Sequence, residues 1–412
     1  MAAGPAVGGD ALGGIASDGG GDGTAAGSPG GASTSGGSTS TASGGDDGSG
    51  VGSGGTGVST ADATGVGSVD GAGSIIVNGL RYDTSQVTGS IQDAPNGLQL
   101  GMTAKVIGPV NADFTQGVAR WVESAADMRG VVDSVDLVQG SFSVLGTRVT
   151  TDSATVWADV PGLASLAPGQ TVQVWGLPGA PGVLYATRIE QRPPSSPILV
   201  GIVQKLDAAA RTFTLGGLIV DYSRAAPDAS VDGQPLTNGS IVRVRADAAP
   251  AGGILAATQL QWWYPVPRGD GTTAQIAGIV TDFAGLGSFR LLGIPVDAST
   301  AQITGGPVGA IGNGVKVDVG GVVTGGVLRA SKLKIRNVPG TGGPASFDLT
   351  GTVGAFRSPA DFRVRGQPVD ATQPGVVFVN GTPANLGNGT KVHVHGTRVV
   401  NGVLLADLVS FQ

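Results

Sequence analysis

The chain contains no cysteine, and only two histidines (His393 and His395) and two glutamates (Glu123 and Glu190) among 412 residues. Without cysteine there are no disulfides, thiolate metal sites or cysteine nucleophiles. So little His, Glu and Lys leaves a poor supply of general acids and bases. Charged residues make up 13% and aromatics 5%, where about 25% charged is usual. Strong helix formers other than Ala and Leu are scarce, which argues against a helical protein. No Lys or Arg precedes Arg81, while seven Asp fall in the first eighty residues. The remaining 23 of 30 acidic residues then face 24 basic ones, so the rest of the chain is nearly neutral. A nucleic-acid binder carries a basic footprint that neutralises phosphates, so no nucleic-acid partner is expected. Arg243 and Arg245 read as a solvated strand face.

No apolar run approaches the ~18 residues of a membrane helix. Met1 to Asp10 has neither the basic start nor the apolar stretch of a secretory signal. Either the protein is cytoplasmic, or its true start lies upstream of Met1.

Glycine is abundant, at 74 residues, well over twice the usual ~7%. Residues 1–64 are low-complexity Gly, Ser, Thr, Ala and Asp, with too few large apolar residues to offset the entropy of ordering. They read as a disordered tether. Gly20-Gly21-Asp22-Gly23 hints at a calcium repeat, but no nonapeptide period follows it.

The remainder repeats itself. "Gly-x-Val" phrases begin at Gly130, Gly201, Gly278 and Gly351, with a looser copy near Gly65. Each is followed by an alternating phrase ending in glycine. These are Phe142-x-Val144-x-Gly146, Phe213-x-Leu215-x-Gly217, Phe289-x-Leu291-x-Gly293 and Phe362-x-Val364-x-Gly366, with Ile75-x-Val77-x-Gly79 in the first copy. An Asp follows in four copies, at Asp83, Asp221, Asp297 and Asp370, and Thr150 replaces it in the second. A phrase "Gly-x-x-Val-x-Val-x-Gly" starts at Gly169, Gly239, Gly314 and Gly389, and "Gly-Val-Leu-x-Ala" or a near variant closes each copy. Period-2 alternation bounded by Gly and Asn is a strand signature. The expected fold is all-β, with five tandem five-stranded OB-like barrels. Their expected bounds are 65–125, 126–194, 195–266, 272–338 and 346–412, separated by Pro/Gly joints. Closure removes unpaired strand edges, and glycine permits the sharp corners of so small a barrel. A small sandwich is the alternative. Units of this size are marginal alone, so they either share interfaces or hang as beads on linkers.

Few residues stand out as chemistry. His393 and His395 share one strand face, but no third ligand is evident nearby, so they read as a solvent-facing pair rather than a zinc site. The recurring Asp suits a turn that accepts backbone N–H groups better than a cation site. Trp262, Trp263 and Tyr264 end the third copy beside a Pro-rich joint. They either stack on sugars or bases or pack between adjacent barrels. Trp121, Trp157 and Trp175 read as core or barrel-end plugs. No Gly-x-Ser-x-Gly elbow, Walker loop or His-Glu-x-x-His helix occurs, and no cofactor is implied.

Gly71-x-Gly-Ser-Ile-Ile-Val-Asn-Gly-Leu-Arg-Tyr-Asp83, Leu98-x-Leu-Gly-Met102 and the later repeat phrases resemble a bacterial domain-of-unknown-function family of tandem OB-like repeats. That family is common in exported and lipoprotein-like proteobacterial proteins. The resemblance covers about residues 65–412 and carries no catalytic motif. It implies a cell-envelope location, with a signal and lipid anchor upstream of this start as the only membrane link. The expected role is non-catalytic, a structural or ligand-binding module for a surface polymer or envelope protein. The alternatives are an intracellular single-stranded nucleic-acid binder and a polysaccharide hydrolase using Asp pairs.

Overall fold

The computed structural model describes residues 58–72, 75–151, 154–227, 235–336 and 346–412. Among these the fold is all-β, interrupted only by single 3-10 turns at Leu163–Ser165, Val308–Ala310 and Pro383–Asn385. Most of the expected tether, up to residue 57, lies outside the described residues. Its end is corrected: Val58–Ala72 is one strand, because residues 58–68 pair with Thr103–Asn111.

Repeat 2 shows the plan. Its first strand, Met128–Asp136, pairs antiparallel with the second, Ser141–Val144, which pairs with the third, Thr147–Thr150. The third runs parallel to the fifth, Val183–Arg192. The fifth pairs with the fourth, Thr171–Pro178, and the fourth returns to the first. The hydrogen-bonded path therefore closes. The other four repeats follow the same circuit, some of their strands broken in two.

The repeated glycines have definite tasks. The second-to-third hairpin of repeat 2 turns at Leu145-Gly146, with φ of 51° and 66°, the two positive values of a tight primed turn. The turn folds the Leu145 side chain back over the first strand. A Cβ on Gly130 there would lie 2.9 Å from Leu145 Cγ, and one on Gly351 would lie 2.7 Å from Arg365 Cγ. In repeats 2, 4 and 5 the glycine of "Gly-x-Val" is thus the slot that receives the turn residue. The glycine closing "Val-x-Val-x-Gly" marks a corner instead: a Cβ on Gly321 would lie 2.1 Å from the Arg329 carbonyl oxygen, where the register of the fourth and fifth strands shifts.

Two polar devices recur. In repeats 3, 4 and 5 the first strand bulges at Lys205, Asp282 and Ala355, each with positive φ. The next N–H in each case donates to Asn238, Asn313 or Asn388 at 2.9, 2.9 and 2.8 Å. Repeat 2 has Pro168 in place of that Asn, and Asp133 is not among the positive-φ residues. The recurring Asp takes the expected turn role. Asp83, Asp221, Asp297 and Asp370 each accept the N–H two residues on, at 2.8–3.0 Å.

The repeats are not separate barrels on linkers. Their strands merge into a 22-stranded, a 10-stranded and a 4-stranded sheet among the described residues. The first strand of repeat 1 runs parallel to the first strands of repeat 4 and repeat 5. The first strands of repeats 2 and 3 pair antiparallel. The apolar cores fuse likewise: one cluster spans repeats 2 and 3, and the repeat 4 cluster takes in Val66, Leu177 and Val200.

Charged residues fill the seams. Asp127, fully buried, accepts four hydrogen bonds. Thr103 Oγ1 of repeat 1 (2.6 Å) and the Gly176 N–H of repeat 2 (2.8 Å) meet one oxygen. Arg243 (2.9 Å) and Trp263 Nε1 (2.6 Å), both of repeat 3, meet the other. Burial pushes the Asp127 carboxyl up, with Arg243 opposing it. Arg243 is 1% exposed; its guanidinium lies over the Tyr264 ring and donates to the Ala126 carbonyl at 2.9 Å. Arg245 turns to Asp93 of repeat 1 at 2.6 Å, and Arg129 joins it there at 2.7 Å. The expected solvated face at Arg243 and Arg245 is therefore corrected. The outward face of that strand is covered by the neighbouring repeats. Between repeats 1 and 4, Arg336 bonds Asp318 at 2.5 Å and approaches Asp70 at 3.6 Å. One oxygen on each carboxylate has no hydrogen-bond partner, and burial lifts Asp70 to about 7.

Two outcomes follow from these seams. Replacing Arg243→Met leaves Asp127 buried without its cation and is expected to cost roughly 3–5 kcal/mol in denaturant unfolding; a loss within 0.5 kcal/mol, the scale of an ordinary surface change, would show the pair to be incidental. For Asp70 the folded value lies above the unfolded one near 3.9, so the folded state holds the extra proton and stability falls as pH rises from about 4 to 7. Asp70→Asn should therefore gain on the wild type between pH 5 and pH 8, read from urea midpoints. A pH-independent difference would contradict this.

Candidate functional site

The aromatic trio lies where three repeats meet. A cavity of about 660 Å³ opens between the ends of repeats 2 and 3 and the first hairpin of repeat 4. Its wall includes Tyr185, Trp262, Pro265, Arg268, Arg290 and Leu292. Clefts of this size suit a small ligand or a few sugar rings. The three aromatics do not share one role. Trp263 is 3% and Tyr264 2% exposed. Their rings lie 4.9 Å apart, tilted at 55°. Trp263 spends its N–H on Asp127, and the Tyr264 hydroxyl meets the Thr103 carbonyl at 3.1 Å and receives the Ala125 N–H at 3.0 Å. Burial pushes the Tyr264 phenol up to about 12, so it stays protonated. These two pack the junction. Trp262, on the paired strand Gln259–Trp262, is half-buried and keeps surface toward the cavity.

The cavity rim is modestly cationic. Arg290 lies 3.5 Å from Asp282 and donates to the Gly293 carbonyl at 2.9 Å. Burial and the neighbouring Arg290 both pull Arg268 below its usual value. The wall thus combines aromatic and proline surface with two guanidiniums and one carboxylate, groups that hold a ligand by stacking and hydrogen bonds. Of the other tryptophans, Trp157 and Trp175 are buried, while Trp121 is 39% exposed, which corrects its reading as a plug.

His393 and His395 sit side by side as expected, but half-buried and partnered. Asp348, on the adjacent strand, reaches both: Oδ1 lies 2.8 Å from His393 Nε2 and 3.2 Å from His395 Nδ1. Sequence reasoning missed it because Asp348 is 45 residues from His393, and only strand register joins them. Among the described residues no group of three or more His, Cys, Asp or Glu is arranged to hold a metal ion. No described helix is long and apolar enough to cross a membrane.

The fold defines an all-β protein of interlocked repeats, with its cavities at their junctions. Three of those repeats have a counterpart among known families. Residues 129–190, 277–334 and 350–410 match the profile of a domain of unknown function, DUF5666, and these stretches are the second, fourth and fifth copies. No curated protein matches the chain.

The hydrogen bond from His393, then that from His395, holds Asp348 below the usual carboxylate range, against burial. Its contribution is present above the unfolded value near 3.9 and is lost as pH falls through the lower folded value. The stability gap between wild type and Asp348→Asn should therefore be seen at pH 5 and close toward pH 3. A gap of equal size at both pH values would refute this role.

Proposed function

We propose that this chain is a non-catalytic cell-envelope protein whose five OB-like repeats form one binding and structural module for a surface polymer. The closed circuit, with its third and fifth strands parallel, supports the OB-like reading of each unit. The envelope location rests on the family resemblance. The absence of catalysis draws support from how the ionic groups are used. Asp127, Asp93, Glu190 and Asp318 are each tied to an arginine, and both histidines are tied to Asp348. Asp127, Asp93, Asp318 and Asp348 with its two histidines line neither of the two cavities where a substrate would sit.

The observation that carries the binding role is the junction cavity with the Trp262 ring in its wall. Aromatic rings beside fixed polar groups suit the apolar faces and hydroxyls of sugars. Calorimetric titration of the full chain with cello-, chito- and xylo-oligosaccharides should find at least one that binds saturably without turnover. Trp262→Ala should then weaken it at least tenfold with an unchanged melting temperature. Turnover of any of these glycans would overturn the non-catalytic reading, and binding indifferent to Trp262 would overturn the site. Fractionation of the native host should place the protein in the envelope fraction.

A further inference from the structure

We propose that a second cavity, between repeats 1, 2 and 5, binds a small ligand carrying two or more oxyanion groups. Its volume is about 560 Å³, within the range of small-molecule sites. Its charge sets it apart in a chain that is nearly neutral after residue 80. Four arginines line it (Arg188, Arg192, Arg363 and Arg365) against two carboxylates (Asp159 and Glu190), an excess of two positive charges among the described residues.

The strand geometry gathers these groups. Arg188, Glu190 and Arg192 alternate along Val183–Arg192 and so share a face. Arg363 lies on the strand Asp361–Val364, and Arg365 follows it at the hairpin turn. Repeats 2 and 4 place Leu145 and Leu292 at that turn position; repeat 5 places a guanidinium there.

One carboxylate answers for two of these cations. Glu190, with 6% of its side chain exposed, serves two cations at once: Arg188 at 2.7 Å and Arg192. Asp159 accepts the Gln191 N–H at 3.1 Å. Arg188 is fixed by the Leu100 carbonyl at 3.0 Å and by Gln99, and burial pulls it below its usual value despite Glu190. Arg363 donates to the Gly366 carbonyl at 2.7 Å and Arg365 to the Thr350 carbonyl at 3.1 Å. Main-chain carbonyls thus hold the guanidiniums in place. Each guanidinium has five N–H donors in a planar fork that matches carboxylate and phosphate geometry. A ligand with two oxyanions would balance the excess charge and bridge the walls contributed by repeats 2 and 5.

The test uses the full chain and isothermal titration at fixed ionic strength, with citrate, pyrophosphate and digalacturonate as probes. At least one should bind saturably with Kd below 1 mM, and the probe preferred distinguishes a carboxylate source from a phosphate one. The Arg363→Gln/Arg365→Gln double variant should lose at least tenfold in affinity while melting within a few degrees of the wild type. Arg290→Gln and Trp262→Ala, in the other cavity, should bind the anion as the wild type does, so this site and the sugar site stand or fall separately. Failure of all three probes, or equal binding by the double variant, would overturn the proposal.

Discussion

A single buried carboxylate organises the junction of the first three repeats. Asp127 takes donors from repeats 1, 2 and 3, and no water is needed to satisfy it. Removing a carboxylate and a guanidinium from water costs several kcal/mol each, and mutual attraction recovers that only when the geometry is good. The pair is therefore better understood as a registry device than as a source of net stability. Only one docking of the three repeats brings Thr103, Gly176, Arg243 and Trp263 onto the same two oxygens. A misdocked arrangement that still buries Asp127 leaves its charge unmatched, which costs more than the native pairing gains.

The repeats differ most where they meet. The residue between the two valines of "Val-x-Val" is Lys105, Gln173, Arg243, Asp318 or His393. The first four are buried and the last half-buried. The residues on either side, valine except for Ala104, are buried in each repeat's own core. The residue between them points outward, and in repeats 2, 3 and 4 it faces a neighbouring repeat, while His393 meets Asp348 of its own repeat. One repeated strand phrase thus supplies a shared core on one face and a different polar group on the other.

This division explains what could be read in advance. Strand positions, repeat phasing, the hairpin glycines and the turn role of the recurring Asp all depend on short-range pattern, and they were legible. The seams were not. Alternation reports that Arg243 faces away from its own repeat's core, but it cannot report that another repeat lies there. Asp127 belongs to no motif, and Asp348 meets its histidines only through register. The aromatic trio was correctly located at a joint, but its division into two packing residues and one cavity-facing ring depends on contacts more than a hundred residues away. Whether the repeats share interfaces or hang as beads stayed open for a related reason, since a strand that pairs within its own unit has a second edge whose partner the sequence does not name.

The pairing of the first strand with repeats 4 and 5 also bears on how the chain is made. Gly71 finds its partner Asp348 roughly 280 residues later. At about 5–20 residues per second of synthesis, repeat 1 leaves the ribosome tens of seconds before that partner exists. Through that interval its first strand has an open edge, and open edges recruit foreign strands. Non-local pairings are slow to form in any case. That edge is where delayed pairing leaves the chain most time to mispair during synthesis.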